Sequence, residues 1–335
     1  MSDRNNDFTA SLSEAVRRHI EGATGVDGLQ RLSGGASQET WAFDATTSKG
    51  TPLPLILRRA PGGTRAEKTT AVALETEAVL IELAEKAGVP VPTVRHVLTP
   101  EDGVGQGFIM NRLTGETIAR KILRDEEYAE ARPKLARQCG EILARLHSID
   151  KAKLPALRVA AAGEEIRQYH ATLREHGHPH PVFELAFRWL EDNLPAGDTE
   201  LTLVHGDFRN GNLMIGPDGV RGVLDWELAH IGDPMEDLGW ICVNSWRFGN
   251  IDKPVGGFGT REDMFAGYEA VSGQSVDPER VKFWEVLGTL KWGIMCTSMV
   301  TAFKSGLDPS VERATIGRRS SETEIDLLRL LAPRS

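Results

Sequence analysis

Four polar residues in one short stretch have the types and the spacing that phosphoryl transfer requires. His205, Asp207 and Asn212 form the pattern H-x-D-x-x-x-x-N, and Asp225 follows at the end of the next apolar run. One carboxylate can accept the proton of an acceptor hydroxyl, while an amide oxygen and a second carboxylate hold Mg²⁺ against nucleotide phosphates. The pattern therefore predicts a site in which Asp207 is the base and Asn212 and Asp225 bind metal.

Short strands and tight turns are predicted to hold these side chains. Residues 201–204 and 220–224 are apolar and β-rich, and Gly211, Gly216 and Gly219 mark turns between them. Reactive side chains are often held at such strand ends and loops. A single Asp at a strand end usually caps a helix, and a single Asp-Gly pair is usually a turn. The occurrence of all four polar residues in order favours the functional interpretation.

The same stretch resembles the aminoglycoside phosphotransferase and choline kinase branch of the protein-kinase-like fold, in which HGDxxxxN replaces HRDxxxxN. The Val-Leu-Asp-Trp-Glu run at 223–227 stands where that fold has DFG, and the run at 232–238 is most similar to a subgroup also found fused to acyl-CoA dehydrogenases. The resemblance implies an α+β, bilobal fold: a small N-lobe with an antiparallel sheet and one helix, and a larger, mostly helical C-lobe. It predicts a nucleotide-binding lobe at 1–112 and a helical lobe with catalytic loop and acceptor pocket at 113–335.

Composition excludes several other classes of protein. The chain has 335 residues, 40% of them hydrophobic and 26% charged, which is typical of a globular protein with a sizeable core. A net charge of −9 opposes nucleic-acid binding. No apolar run approaches about eighteen residues, and the polar start lacks a signal-peptide core, so we expect a cytoplasmic protein without membrane contact. Cys139, Cys242 and Cys296 are far apart and are predicted to be reduced core thiols.

A loop of small residues lies between two strand-like runs near the N terminus. Small side chains let backbone N–H groups approach phosphates closely, so the loop could cover a nucleotide. It is not a Walker A loop, because no Gly-Lys-Ser/Thr follows it. An ordinary hairpin turn is the alternative, but the position ahead of the other motifs favours nucleotide binding. The predicted nucleotide-binding residues of this loop are Ser33, Gly34, Gly35, Ala36 and Ser37.

A strand-like run at 54–59 ends in two arginines, and because neighbouring strand residues point to opposite faces, only one of them can face a cleft. By resemblance, Arg58 takes the place of the lysine that contacts the nucleotide phosphates in this fold, and Glu77, on the amphipathic helix predicted at 71–87, is its partner. Arginine departs from the commoner pattern, although it can fork onto phosphate oxygens. A solvated surface glutamate is the alternative for Glu77.

Further site residues are assigned by the same resemblance. Met110, Asn111 and Arg112 should form the connection between the lobes, where backbone groups bind the adenine edge, although an exposed loop is the alternative. Arg209, inside the catalytic loop, could contact the transferring phosphate or the acceptor. The implied cofactors are ATP and Mg²⁺.

The predicted function is an ATP- and Mg²⁺-dependent phosphotransferase acting on a small-molecule hydroxyl. The link to acyl-CoA dehydrogenases favours a hydroxyacyl-CoA or related hydroxy acid, or another small metabolite. Aminoglycosides rank lower, because the acids near the C terminus, Glu322, Glu324 and Asp326, stand among arginines. The alternative from another class is a non-catalytic nucleotide-binding pseudokinase. Arg58 in place of lysine favours it, and the intact set of Asp207, Asn212 and Asp225 argues against it.

Overall fold

The chain forms a small lobe built on one sheet, followed by a larger helical lobe, so the α+β, kinase-like architecture expected from the sequence is confirmed. The computed structural model describes residues 2–32, 38–63, 71–195 and 200–332. The first lobe contains helices α1 (Ser2–His19) and α2 (Leu74–Lys86), and strands β1 (Ala23–Leu32), β2 (Glu39–Thr47), β3 (Leu53–Arg59), β4 (Val94–Val97) and β5 (Gly107–Asn111).

The second lobe carries nine helices among the described residues and two small sheets. The helices are α3 (Ala119–Arg124), α4 (Arg132–His147), α5 (Ala162–Glu175), α6 (Pro181–Asp192), α7 (Met235–Cys242), α8 (Arg261–Ser272), α9 (Pro278–Lys304), α10 (Val311–Gly317) and α11 (Ser320–Leu331). Strand β6 (Thr202–Val204) pairs with β9 (His230–Gly232), and β7 (Leu213–Gly216) pairs with β8 (Gly219–Val223), each antiparallel.

The five-stranded sheet has the order β1-β2-β3-β5-β4 with antiparallel neighbours. Leu55 and Leu57 of β3 are buried in the cluster that also contains Leu12 of α1. Arg59 shares that face, since its guanidinium lies 4.4 Å from the ring centre of Phe8. Arg58 therefore points to the opposite face, as strand alternation requires. The expectation that only one of the two arginines faces the cleft is confirmed.

A buried carboxylate joins α1 to the turn between β4 and β5. Asp102 Oδ1 lies 2.9 Å from His19 Nε2, and Asp102 Oδ2 lies 2.9 Å from His96 Nε2. The backbone N–H of Thr99 also donates to Oδ2 at 2.9 Å. Burial opposes the charge, but these hydrogen bonds outweigh it and lower the pKa of Asp102 to about 2. The ionised group therefore stabilises the docking of α1.

We expect Asp102→Asn to lower the free energy of unfolding by about 2 kcal/mol at pH 7, because one amide oxygen cannot replace two charged acceptors. The stability supplied by the ionised group is present above its unfolded pKa of 3.8 and is lost as the pH falls through about 2. Urea unfolding should therefore show the difference shrinking below pH 4. Glu101→Gln, exposed in the same turn, is the control. Equal stability of wild type and Asp102→Asn at pH 7 would contradict this role.

Helix α9 forms much of the core of the second lobe. By length and composition it could cross a membrane, contrary to the expectation that no stretch is long and apolar enough, but 56% of its most apolar window is buried inside the protein. The approach to α7 is close: a Cβ at Gly239 would lie 2.6 Å from Cβ of Trp284. The apolar composition of α9 is thus accounted for by packing. All three cysteines are buried and unpaired, as expected.

Two helix boundaries differ from those that the sequence predicts. A helix is expected at 235–246, but α7 ends at Cys242, where the guanidinium of Arg247 donates to the Cys242 carbonyl oxygen at 2.6 and 3.0 Å. That side chain satisfies an acceptor that a further helical turn would have used. Similarly, the helical periodicity of residues 128–149 predicts a helix from Tyr128, but α4 begins at Arg132, because Pro133 favours the first turn of a helix.

Candidate active site

The carboxylate of Asp207 is held from both sides in the loop between β6 and β7. Its Oδ1 accepts hydrogen bonds from Arg209 Nε at 3.0 Å and from the indole N–H of Trp240 at 2.8 Å. Its Oδ2 accepts one from Asn212 Nδ2 at 2.7 Å. The side chain is 15% exposed. Three donors therefore fix the plane of the carboxylate while it remains in contact with solvent.

His205 connects this loop to the segment that carries Asp225. Its Nδ1 accepts the backbone N–H of Asp207 at 3.2 Å, so its Nε2 carries the proton and donates to the Leu224 carbonyl oxygen at 3.1 Å. The Leu224 N–H in turn donates to the Asn212 carbonyl oxygen at 2.8 Å. Burial lowers the pKa of His205, which favours this neutral form. The loops bearing Asp207 and Asp225 are thus joined by direct hydrogen bonds.

Asp237 of α7 anchors the start of the catalytic loop from beneath. Its carboxylate accepts the backbone N–H groups of His205 at 2.8 Å and Gly206 at 3.0 Å, and His147 Nε2 lies 3.2 Å away. Gly206 has a φ of 78°, and a Cβ there would lie 2.5 Å from the Leu228 carbonyl oxygen. Asp237 is therefore an internal anchor of the catalytic loop.

Arg58 reaches across from β3 to three carboxylates. Its Nη2 lies 2.6 Å from Asp225 Oδ1 and 3.7 Å from Glu227 Oε2, and its Nε lies 2.8 Å from Glu77 Oε1. Burial opposes the charge on the guanidinium, but the carboxylates outweigh it and raise the pKa of Arg58. Asp225 itself has a φ of 67°, a left-handed conformation that aspartate tolerates better than most residues. Arg58 therefore lies beside the predicted metal ligand as well as its expected partner Glu77.

Glu77 is buried without full hydrogen bonding. Only 1% of it is exposed, its Oε2 has no hydrogen-bond partner among the described residues, and the Arg58 Nε–H is not aligned with Oε1. Burial raises the pKa of Glu77 to about 7, although Arg58 acts in the opposite direction. Burial therefore favours the protonated form of Glu77, and Arg58 offsets only part of that effect.

This buried acid predicts a distinctive dependence of stability on pH. The pKa of Glu77 is about 7 in the folded protein and 4.5 in the unfolded chain, so protonation of Glu77 stabilises the folded state. This stabilisation is complete below pH 4.5 and is lost as the pH rises through 7. Between pH 5 and 8, the free energy of unfolding of wild type should fall by on the order of 1–3 kcal/mol relative to that of Glu77→Gln, as measured by urea unfolding. Glu75→Gln, partly exposed on the same helix, should instead follow wild type. Parallel pH profiles for wild type and Glu77→Gln would contradict the prediction.

The other predicted nucleotide contacts fall in two places. Met110 and Asn111 are the last residues of β5, and Asn111 Oδ1 accepts a hydrogen bond from Arg95 Nε at 2.7 Å. Arg112 follows them, and its guanidinium pairs with Asp44 of β2. The small-residue loop, Ser33, Gly34, Gly35, Ala36 and Ser37, lies outside the described residues.

Two tryptophans in the site are not predicted by motif spacing. Trp240 donates to Asp207, and the Arg209 guanidinium lies 4.7 Å from the ring centre of Trp246. Trp240 is three residues after Asp237 and therefore shares its side of α7. That periodicity is the only signal in the sequence that could have indicated it.

The sequence of this chain matches a known family over most of its length. A family model described as the phosphotransferase enzyme family, APH, matches residues 28–273. The chain belongs to this family. The matched region includes Arg58, Glu77 and the whole stretch from Asp207 to Asp237, so these residues of the candidate site lie within the APH domain.

Relatives of this APH-family chain include larger proteins. Mouse acyl-CoA dehydrogenase family member 10 is 28% identical over 242 residues, which cover 69% of the chain and 22% of that protein. The Arabidopsis thaliana probable acyl-CoA dehydrogenase IBR3 is 33% identical over 228 residues, which cover 63% of the chain and 27% of that protein. The chain thus spans about a quarter of these relatives. Viomycin phosphotransferase of Streptomyces vinaceus is 32% identical over 143 residues, 40% of the chain and 48% of that protein.

Solved structures share the fold across nearly the whole chain. A proposed aminoglycoside phosphotransferase from Ralstonia eutropha superposes with a TM-score of 0.77 at 20% identity, covering 96% of this chain and 97% of that one. An aminoglycoside phosphotransferase, APH(4)-Ia, in a ternary complex with AMP-PNP and hygromycin B, gives a TM-score of 0.63 at 15% identity, covering 97% and 100%. At these identities the likeness establishes the fold.

Proposed function

We propose that the chain is an ATP- and Mg²⁺-dependent phosphotransferase that phosphorylates the hydroxyl group of a small molecule. The observation that carries this proposal is the position of the Asp207 carboxylate. Asn212 binds it, and the backbone of Asn212 is joined through Leu224 to the segment of Asp225. A base and two metal-binding oxygens on adjoining loops are what transfer of a γ-phosphoryl group to an alcohol requires.

The donor set fits Mg²⁺. Asn212 Nδ2 donates to two oxygens of Asp207, which turns the amide oxygen away from that carboxylate. Asp225 uses Oδ1 for Arg58 and has a side chain that is 34% exposed. Hard oxygen ligands of this kind suit Mg²⁺, which keeps several waters and is shared with nucleotide phosphates. Arg58 contacts Asp225 and Glu227 in addition to the buried Glu77, so acidic groups outnumber the single guanidinium and a divalent cation would offset their charge.

Asp207 would act as the base for the acceptor. The acceptor oxygen forms a bond to the γ-phosphorus as the bond to the β-phosphate oxygen breaks, ADP leaves, and the hydroxyl proton passes to the Asp207 carboxylate and then to solvent. Because the proton leaves late in a loose transition state, Asp207 contributes mainly by holding the hydroxyl in line. Arg58 would contact the phosphates, supported by Glu77, and Arg209 would contact the transferring phosphate or the acceptor.

The nucleotide would lie between the lobes. We infer that Ser33 to Ser37 cover its phosphates and that backbone groups of Met110, Asn111 and Arg112 meet its adenine edge, by resemblance to the family. APH(4)-Ia and the spectinomycin phosphotransferase APH(9)-Ia, described respectively with AMP-PNP and with ADP, support nucleotide binding for this fold.

Local charge argues against a polycationic acceptor. The acids near the C terminus are already engaged: Glu322 pairs with Arg319, Glu324 lies 3.0 Å from His180, and Asp326 accepts a hydrogen bond from Asn244. They therefore do not form a free acidic patch for an aminoglycoside. The acyl-CoA dehydrogenase relatives favour instead a hydroxyacyl-CoA or a related hydroxy acid.

An ADP-release screen tests the acceptor class. Hydroxyacyl-CoAs, hydroxy acids, choline, sugars and aminoglycosides are compared with ATP and Mg²⁺ alone. We expect hydroxyacyl-CoAs or hydroxy acids to raise ADP release above the background, and aminoglycosides to leave it unchanged. The highest rate with an aminoglycoside would overturn the acceptor class. Thermal stabilisation by Mg²⁺ and ATP without release for any acceptor would instead identify a nucleotide sensor.

A further inference from the structure

Among the residues that the structure describes, one hydrogen bond reaches the Asp207 carboxylate from outside its own loop. Trp240 lies in α7, 33 residues after Asp207, and its indole N–H donates to Asp207 Oδ1 at 2.8 Å. Trp240 is 5% exposed. The other two donors, Arg209 and Asn212, belong to the same loop as Asp207. The hydrogen bond from Trp240 therefore connects the Asp207 carboxylate directly to a helix of the second lobe.

The indole ring of Trp240 is held in one place by its neighbours. Its ring centre lies 5.3 Å from that of Trp246 and 5.3 Å from Lys291 Nζ. A Cβ at Gly288 of α9 would lie only 2.9 Å from Trp240 Cε3, so helix and ring are in close contact. The indole N–H of Trp240 that donates to Asp207 thus belongs to a residue of α7 that packs closely against α9, and not to a loop residue.

We propose that Trp240 is a positioning residue for the base, an inference that rests on the proposed phosphotransferase reaction. With Asn212 on Oδ2 and Trp240 on Oδ1, the carboxylate cannot rotate freely about its Cβ–Cγ bond. An indole N–H is a donor only and does not gain or lose a charge near neutral pH. It can therefore orient Asp207 without competing for the proton of the acceptor, which a histidine or carboxyl group in its place would do.

Trp284 provides a matched control. Its indole N–H donates to Asp233 Oδ2 at 2.8 Å, and it is 3% exposed, so the donor and the type of acceptor are the same as for Trp240 and the burial is similar. Asp233 also accepts hydrogen bonds from Met235 N and Arg280 Nε, and it serves the start of α7. Trp284→Phe thus removes the same kind of bond from the same lobe without touching Asp207.

We expect Trp240→Phe to lower kcat by about 10- to 100-fold, because misplacing a catalytic group by about 1 Å has effects of that size. KM for ATP and for the acceptor should change less than about twofold, since the bond does not contact either substrate. Trp284→Phe should reduce the melting temperature comparably and change kcat less than about threefold. A purely structural role for Trp240 would lower stability without this selective loss of kcat.

A second variant covers the case in which Trp240→Phe fails to fold. Replacing Trp240 with β-(3-benzothienyl)alanine keeps the shape of the bicyclic ring and exchanges the N–H for sulfur, so the same loss of kcat is expected with the fold retained. Equal kcat for this variant, Trp284→Phe and wild type would overturn the role of Trp240 while leaving the proposed function intact. Absence of phosphate transfer by wild type to every acceptor tested would overturn both.

Discussion

Asp207→Asn should lower phosphate transfer by at least about 100-fold while leaving nucleotide binding intact. The amide keeps the shape of the side chain and an oxygen for Trp240 or Asn212, but its uncharged oxygen neither holds the acceptor hydroxyl in line as a carboxylate does nor takes up the hydroxyl proton. Removal of a general base of this kind lowers rates by roughly 10²- to 10⁴-fold. Steady-state ADP release with the best acceptor measures the loss, and titration with Mg²⁺ and ATP should show a Kd within about threefold of wild type.

The control for this substitution is Asp218→Asn. Asp218 is exposed in the turn between β7 and β8, where it pairs with Arg221 at 2.9 Å. Asp218 belongs to the same segment of the chain but contacts neither loop of the site. The turnover of the Asp218→Asn variant should therefore equal that of wild type. Turnover by Asp207→Asn equal to that of Asp218→Asn would contradict the role assigned to Asp207.

Asp225→Ala should eliminate the Mg²⁺-dependent part of nucleotide binding. Asp225 is proposed as a direct metal ligand, and even supporting residues change metal affinity by about 10- to 100-fold, so a loss of about 100-fold or more is expected. The substitution also frees Arg58 from its 2.6 Å ion pair, which should leave weak, metal-independent ATP binding in place. Thermal shifts with ATP, with Mg²⁺ and with EDTA separate the two contributions.

The comparison with Asp207→Asn makes this result specific. Asp207→Asn should keep the thermal shift that Mg²⁺ and ATP produce together, and Asp225→Ala should show in Mg²⁺ the small shift that wild type shows in EDTA. A full Mg²⁺-dependent shift in Asp225→Ala would remove Asp225 from the metal site. The two carboxylates would then not have the separate roles proposed for them.

Local patterns in the sequence predict much of this molecule. Helical periodicity at 128–149 and 281–303 predicts the helices observed as α4 and α9, and strand alternation predicts that Arg58 and Arg59 face opposite sides. The spacing of Asp207 and Asn212 predicts their proximity, because five residues in a tight loop cannot separate them widely. These features depend on residues that are close together in the sequence, so the local pattern of residue types is enough to predict them.

Contacts between distant segments are harder to predict. The bond from Trp240 to Asp207 depends on how α7 crosses beneath the catalytic loop, and no spacing in the sequence encodes that crossing. In the same way, the partnership of Arg58 with Glu77 follows from family resemblance, whereas its contacts with Asp225 and Glu227 require the two lobes to be docked. The early end of α7 depends on Arg247 folding back onto a carbonyl group.

The most direct measurement is transfer of the γ-phosphate of labelled ATP to the best acceptor from the screen, with wild type and Asp207→Asn compared with and without Mg²⁺. We expect label in the acceptor only for wild type with Mg²⁺, and at least about 100-fold less for the variant. Equal labelling by both proteins, or labelling that persists in EDTA, would contradict a metal-dependent transfer in which the carboxylate at position 207 serves the acceptor hydroxyl.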